Sequence, residues 1–144
     1  MGTVGALLKT KGNTVWSTTP DTSVYRALVL MAEKNVGALL VLESGKLAGI
    51  FSERDYARKV ALKGKSAENT TVLEIMTDKV ISIGEDQMID DCMEMMTEKH
   101  VRHLPVTEGD KVIGLISIGD VVKSIIMDQK STIGHLQDYI TGKR

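Results

Sequence analysis

Apolar positions along the chain follow two periods, and the periods alternate in the same order twice. Val24, Ala27, Leu28 and Met31 fall at i, i+3, i+4 and i+7, one face of a helix that begins at Thr22 or Ser23. Ile89, Cys92, Met93 and Met96 repeat that face. Two apolar runs follow the first helix, Ala38 to Leu42 and Leu47 to Phe51, separated by Glu43-Ser44-Gly45-Lys46. Two more, Leu104 to Thr107 and Val112 to Ile116, flank Glu108-Gly109-Asp110-Lys111. Each pair reads as adjacent strands in an antiparallel hairpin. Further helices are predicted from about Glu53 to Leu62 and from about Ile118 to Met127. Short lead-in helices are predicted at Val4 to Lys9, ending at Lys11-Gly12-Asn13, and at Val72 to Met76. Trp16 to Thr19 reads as extended. In the tail, Ile133, Leu136 and Ile140 sit at helical spacing, and Gly134 weakens that segment.

The alternation reflects an internal repeat. Displacing the sequence by 65 aligns Val15–Val60 with Val80–Ile125 without a gap, and 14 of the 46 positions are identical. The shared positions include Gly49/Gly114, Ser52/Ser117 and Asp55/Asp120. Two copies of one α+β unit are therefore expected, with repeats at 1–66 and 67–127 and a helical tail at 128–144. Lys63 to Thr71 is the most loop-like stretch and serves as the linker. A half of about 60 residues is marginal alone, so the halves are expected to bury their sheets against each other, leaving related clefts between them.

Composition narrows the function classes. The chain has 144 residues, 42% hydrophobic and 26% charged, with formal net charge −1. That near-neutral balance weighs against nucleic acid as the main partner. The one cysteine, Cys92, excludes an internal disulfide and a multi-cysteine zinc site and fits a reducing, cytoplasmic setting. No stretch approaches the roughly 20 apolar residues of a membrane span. The apolar run at Val4 to Leu8 is too short for a signal peptide.

The chemistry concentrates at Gly49-Ile50-Phe51-Ser52-Glu53-Arg54-Asp55 and Gly114-Leu115-Ile116-Ser117-Ile118-Gly119-Asp120. Each is a strand end turning into a helix. Serine three residues before an acid is a helix-capping signature. Two features weigh toward binding: the acid is aspartate and not the usual glutamate or glutamine, and a glycine before each serine permits close backbone approach. A helix N-terminus suits a phosphate, and a carboxylate beside it suits a cis-diol such as ribose. Arg54 and Arg58 add positive charge in the first copy, where the second has Gly119 and Lys123. Arg102 and His103 suit a phosphate; a solvated strand edge is the alternative. Gly37 and Ala38 occupy the corresponding first-copy positions. His100 and His103 lack the companions of a zinc site, and His135 reads as a surface residue. No nucleophile elbow, GxGxxG or Walker loop is present. Cys92 and the methionines Met76, Met93 and Met96 read as core.

With both copies laid out, the chain resembles a tandem pair of CBS (cystathionine-β-synthase) domains, the Bateman module. The carrying motifs are Val101-Arg102-His103-Leu104-Pro105-Val106 and the two Gly-x-x-Ser-x-x-Asp stretches, and the likeness runs from Val4 to about Met127. It is similar to small stand-alone bacterial members and to plant organellar CBS pairs. The resemblance implies two βαββα repeats about a pseudo-twofold axis, sheets packed together and helices outside. It also implies adenosine ligands such as AMP, ATP or NAD(H). Ser52 and Asp55 would hold one ligand, with Arg102 and His103 reaching its phosphates from the other repeat. Ser117, Gly119 and Asp120 would serve the second site, faced by Gly37 and Ala38. The extended segments Trp16-Ser17 and Ile81-Ser82 complete the candidate set. A homodimer that regulates a separate, unknown protein is implied, with no catalytic step. A structural dimerisation module is the alternative, and a nucleotide hydrolase is disfavoured because no acid/base pair or metal set appears.

Overall fold

A computed structural model describes residues 2–141, with the side chains of 131, 135 and 138–141 left aside. His135 and Ile140 therefore lie outside the described side chains. The chain is α+β, as its alternating periods predict. Its elements are α1 (Val4–Lys11), β1 (Ser17–Thr18), α2 (Val24–Lys34), β2 (Ala38–Glu43), β3 (Lys46–Ser52), α3 (Glu53–Tyr56), α4 (Val72–Ile75), α5 (Ile89–Lys99), β4 (His103–Glu108), β5 (Lys111–Ser117) and α6 (Ile118–Thr141).

The two helices with the clearest apolar face behave as that face dictates. In α2, Val24, Ala27 and Met31 are buried; in α5, Ile89, Cys92 and Met96 are. Ser23 caps α2 by accepting from the Arg26 N–H at 3.1 Å. Both helices end on a left-handed residue, Asn35 and His100, where φ is 54° and 55°.

Each hairpin has the register its turn allows. β2 and β3 pair from Ala38↔Ser52 to Glu43↔Lys46, closing on Ser44-Gly45 with positive φ at both residues. That is the twist a two-residue hairpin favours. β4 and β5 pair from His103↔Ser117 to Glu108↔Lys111. Both ladders slip by one residue at the same place, between Val41 and Leu42 and between Val106 and Thr107.

The copies differ at the first strand. β1 runs parallel to β2, and the Leu40 N–H donates to the Trp16 carbonyl at 3.2 Å. The equivalent of Leu40 is Pro105, which has no N–H to give. The second copy's first strand is accordingly reduced to a single parallel bridge, Ile83↔Val106. Two further departures from expectation are local. The helix after Ser52 changes to a π turn at Ala57–Ala61, with the Leu62 N–H reaching the Ala57 carbonyl. The tail continues α6 without a break through Gly134.

The core is two clusters, one per sheet, and each takes a helix from the opposite copy. Val4 and Leu8 of α1 pack with Leu104, Val106 and Ile116 of the second sheet. Val72 and Ile75 of α4 pack with Leu39, Val41 and Phe51 of the first. Backbone bonds fix both crossings: Val4 N–H to Gln87 O and Gly5 N–H to Glu85 O at 2.9 Å, Val72 N–H to Thr22 O at 2.8 Å.

These crossings explain the glycines before each serine. A Cβ on Gly49 would stand 2.7 Å from the Thr77 carbonyl oxygen and from Met76 Sδ; one on Gly114 would stand 2.8 Å from both methyls of Leu8. The close approach is made by the lead-in segment of the other copy. Gly49→Ala and Gly114→Ala are expected to destabilise by about 1–3 kcal/mol, the cost of overpacking. Gly49→Ala should be the worse, because a carbonyl cannot rotate away as Leu8 can. Urea titrations would check the order. Leu8→Ala should cost less in the Gly114→Ala background than in the native chain, and additive effects would contradict the assigned contact.

Candidate functional site

β3 ends at Ser52, and the chain turns there into α3. The Ser52 N–H and Oγ–H donate to Asp55 Oδ2 at 2.9 and 3.0 Å, and the Asp55 N–H donates back to Ser52 Oγ at 3.2 Å. Aspartate thus closes a full capping box. Its presence in place of glutamate, taken above as a sign of binding, is equally compatible with capping. Asp55 is one of two buried polar or charged residues among the described ones. Its Oδ1 receives Lys59 Nζ at 3.0 Å and the Thr77 hydroxyl at 3.4 Å. Lys59 lies on the π turn and also donates to the Ile75 carbonyl at 3.0 Å, tying α3 to α4.

Above this carboxylate lies a cleft of about 460 Å³ that crosses both copies, within the range of small-molecule sites. It is lined from the first copy by Gly37, Ser52, Arg54, Asp55, Arg58 and Lys59, and from the second by Arg102, His103 and Ser117. Thr77, Lys79 and Ile81 of the intervening segment close one side. Two equivalent bonds hold the strand starts beside it: Glu53 N–H to Gly37 O at 3.1 Å and Ile118 N–H to Arg102 O at 2.8 Å.

The cleft is cationic. Arg58 and then Arg102 hold the exposed Arg54 guanidinium below its usual pKa, with slight burial adding to them and Asp55 opposing. Like charges from two segments of the chain, Arg54 with Arg58 and the distant Arg102, therefore converge on one space. Lys79 adds a fourth cation, against Glu53 and an Asp55 already paired with Lys59.

The second Ser-x-x-Asp makes the same cap. The Ser117 N–H donates to Asp120 Oδ2 at 2.8 Å and the Asp120 N–H to Ser117 Oγ at 3.1 Å. Here, however, the carboxylate is held by Lys11 of α1, at 2.6 Å. Lys11 also donates to the Leu115 carbonyl. Burial alone would raise the Asp120 pKa; the hydrogen bond from Lys11, the Ser117 N–H and the Lys11 charge together bring it below the usual carboxylate value.

The candidate residues thus divide. Ser52, Arg54, Asp55, Arg102, His103, Gly37 and Ile81 share the first cleft, joined by Ser117. Gly37 lines that cleft and is not reserved for the second. Ala38, expected to face the second site, is buried in β2 opposite Ser52 and offers almost no surface. Gly119 lies in a separate apolar groove with Val122 and Ile126. Trp16 and Ser17 stand at the first sheet's edge, where Lys34 Nζ lies 4.3 Å over the Trp16 ring. Ser82 is exposed and outside the first cleft's lining. Arg102 and His103 are adjacent and influence different partners. Arg102 acts on Arg54, while His103 also feels the Lys11–Asp120 pair. Lys59, Thr77, Lys79 and Lys11 were not foreseen. Lys11 and Lys79 each lie seven residues into their lead-in segments, counting from Val4 and Val72, a correspondence displaced by 68 and so invisible at 65. Cys92 is fully buried, and desolvation, with Asp91 adding, pushes its thiol pKa up to about 11, so it is a core residue.

Known proteins place this geometry in a family. The family model described as CBS domain matches residues 13–62 and 72–127. The mitochondrial CBS domain-containing protein CBSX3 of Arabidopsis thaliana is 39% identical over 97% of this chain and 72% of its own. The structure of a protein with CBS domains from Burkholderia ambifaria MC40-6 superposes with TM-score 0.85 at 53% identity. That match covers 89% of this chain and 96% of that one. The CBS domain pair of protein MJ0100, solved with 5′-methylthioadenosine and S-adenosyl-L-methionine, superposes with TM-score 0.77 at 24% identity, covering 89% and 98%. The chain belongs to the CBS domain family, as a tandem pair. CBS pairs are regulatory modules, and among the described residues no three His, Cys, Asp or Glu side chains group as a metal site.

The surroundings of His103 make stability depend on pH. Burial first, then Lys11 and Arg102, lower its pKa, and Asp120 opposes them. The unfolded chain regains the ordinary value near 6.5. As pH falls through about 6.5 the unfolded state takes up a proton that the fold resists, and stability declines. Asp120 contributes separately, losing its stabilisation only as pH falls below about 4. Melting temperatures between pH 8 and 5 should fall toward acid, with a shallower slope in His103→Asn. An unchanged slope in that variant would remove His103 as the source.

Proposed function

We propose that this chain is a non-catalytic, cytoplasmic regulatory module that binds an adenosine nucleotide in the Asp55 cleft and acts on a separate protein. The observation that carries this is the convergence of Arg54, Arg58 and Arg102 on one cleft beside Ser52 and Asp55. Guanidinium groups that repel one another are matched by an anionic ligand, and a phosphate meets two of them bidentately. A ribose diol donates to Asp55 as Lys59 shifts toward the phosphates. The apolar atoms of Ile50, Val80 and Ile81 offer a surface for the base. The ligands of the MJ0100 pair share the adenosine moiety with this proposal and carry no phosphate. AMP, ATP and NAD(H) fit the charge of the cleft better than an uncharged nucleoside.

A thermal-shift panel of AMP, ADP, ATP, NAD, NADH and S-adenosylmethionine tests this. A ligand at about 100 times its Kd adds about 2.7 kcal/mol. Arg102→Ala should weaken nucleotide binding about 10-fold or more, as expected for a lost charge-assisted bond, while leaving the empty protein as stable or slightly more so. No shift from any ligand in the panel would sink the reading and leave the capping boxes as purely structural.

The exposed face of α6 favours a homodimer. Val122, Ile126, Ile133 and Leu136 are exposed apolar residues at spacings of four and three, with Gln129 completing the series. That is the seam of a helix that packs on another helix. Light scattering should give a dimer for the native chain and a monomer for Ile126→Glu/Ile133→Glu. A native monomer at micromolar concentration would rule the seam out.

A further inference from the structure

His103 opens β4 and pairs across the ladder with Ser117, and both line the Asp55 cleft. It is half-buried, and among the described residues its side chain makes no hydrogen bond or ion pair. A neutral imidazole carries one donor and one acceptor, and shielding such a group from water without a partner is costly. An imidazole left unpaired on the wall of a cleft therefore has its partner in whatever fills the cleft.

The charges around it set which form it takes when the cleft is empty. Lys11 of α1 and the neighbouring Arg102 act on it with positive charge, and Asp120 of α6, which opposes them, is already held by Lys11. The cleft that it lines also carries Arg54, Arg58, Lys59 and Lys79, against Glu53 and an Asp55 paired with Lys59. Among the described residues Arg54, Arg58, Lys79 and Arg102 form no ion pair. Cations thus outnumber carboxylates, and the empty cleft favours a neutral His103. A bound anion reverses that balance, because its charge favours the imidazolium. Arginine and lysine keep their charge between pH 5 and 8, and histidine is the side chain whose charge ordinarily changes there. His100 also lines the cleft but stands exposed at the C-cap of α5.

We propose that His103 makes anion binding in the Asp55 cleft proton-linked, so that the module responds to pH as well as to its ligand. The bound anion takes His103 up in its charged form, and affinity rises as pH falls. By linkage the proton and the anion each strengthen the binding of the other. Acid therefore weakens the empty fold through His103 and tightens the filled one. This regulation rests on the nucleotide-binding reading for the identity of the ligand, and on the charges lining the cleft for the presence of an anion.

Calorimetric titrations of the full chain with NAD and with inorganic sulfate, whose charges stay constant between pH 8 and 5.5, test it. The native protein should bind about 5-fold or more tightly at pH 5.5 than at pH 8. Near pH 6.5 the heat should vary with the ionisation enthalpy of the buffer in the sense of proton uptake. His103→Asn, with His103→Gln as a second variant should Asn impair folding, should lose both effects, and His100→Asn should keep them. NAD binding with the same pH dependence in the native protein and the His103 variants would overturn the proposal and leave the nucleotide reading standing. A dependence lost in His100→Asn and kept in the His103 variants would also overturn it. Sulfate binding that tightens toward acid only with His103 in place, without any binding of NAD or of the thermal-shift panel, would uphold the role of His103 and reject the nucleotide. Absence of binding by either probe at every pH would reject both.

Discussion

The exchange of lead-in helices is the constraint on which the rest of the structure depends. α1 begins the chain but completes the second core through Val4 and Leu8; α4 opens the second repeat but completes the first through Val72 and Ile75. Each half of about 60 residues buries too little apolar surface to be secure alone. Fully burying one such side chain is worth about 1.5–3 kcal/mol, so neither half can lose its borrowed helix cheaply. The exchange also fixes the sheets relative to each other, and with them a cleft built from both copies. Gly49 and Gly114 belong to this arrangement: they let the borrowed segments reach the strands.

The same exchange is where the copies part chemically. A borrowed segment can cover its strand as a helix or as an extended chain, and the two halves use one each. The extended form after α4 supplies a backbone bridge, a hydroxyl and a lining cation, Lys79, to the first cleft. The helical form of α1 brings an ammonium to Asp120. Thr77 follows the C-cap Met76 and adopts the pairing that a β-branched residue favours. At the matching place α1 has Lys9, which favours the helix. A local difference in propensity at one end of the fold thus becomes a difference in charge at the site.

Much of this was legible in the sequence because the informative signals are local and duplicated. Helical faces such as Val24/Ala27/Met31, the two hairpins and the Ser-x-x-Asp turns follow from spacing alone. So did the meeting of Arg54, Asp55, Arg102 and His103, once the family resemblance supplied the crossing of repeats. The parts that were not legible depend on long-range placement. Lys11 and Asp120 are 109 positions apart, and nothing in either segment signals the other. The π turn after Tyr56 arises where Lys59 bridges to α4 and Val60 enters the core. Gly134 costs a helix about 1 kcal/mol against alanine, too little to stop α6. The missing first strand of the second copy had a visible cause in Pro105, whose significance appears only when Leu40 is seen donating to Trp16.

The balance between capping and binding at Ser52–Asp55 turns on what surrounds the turn and not on the turn itself. Both capping boxes form, and each needs only serine, aspartate and a helix N-terminus. A cap gains nothing from three guanidinium groups crowded together, which weaken the empty fold by mutual repulsion, modestly because they are exposed and screened. Asp120 has an equivalent cap without such a cluster, which separates the two properties within one molecule. The cap is therefore a shared foundation, and the arginines are an addition specific to the first cleft. An addition that costs stability when empty is compensated when an anion fills it, and the linkage of binding to stability then makes the filled state the more stable one. On the proposed reading, that gain spans two interlocked halves, which is the physical means by which a bound ligand would be reported to a partner.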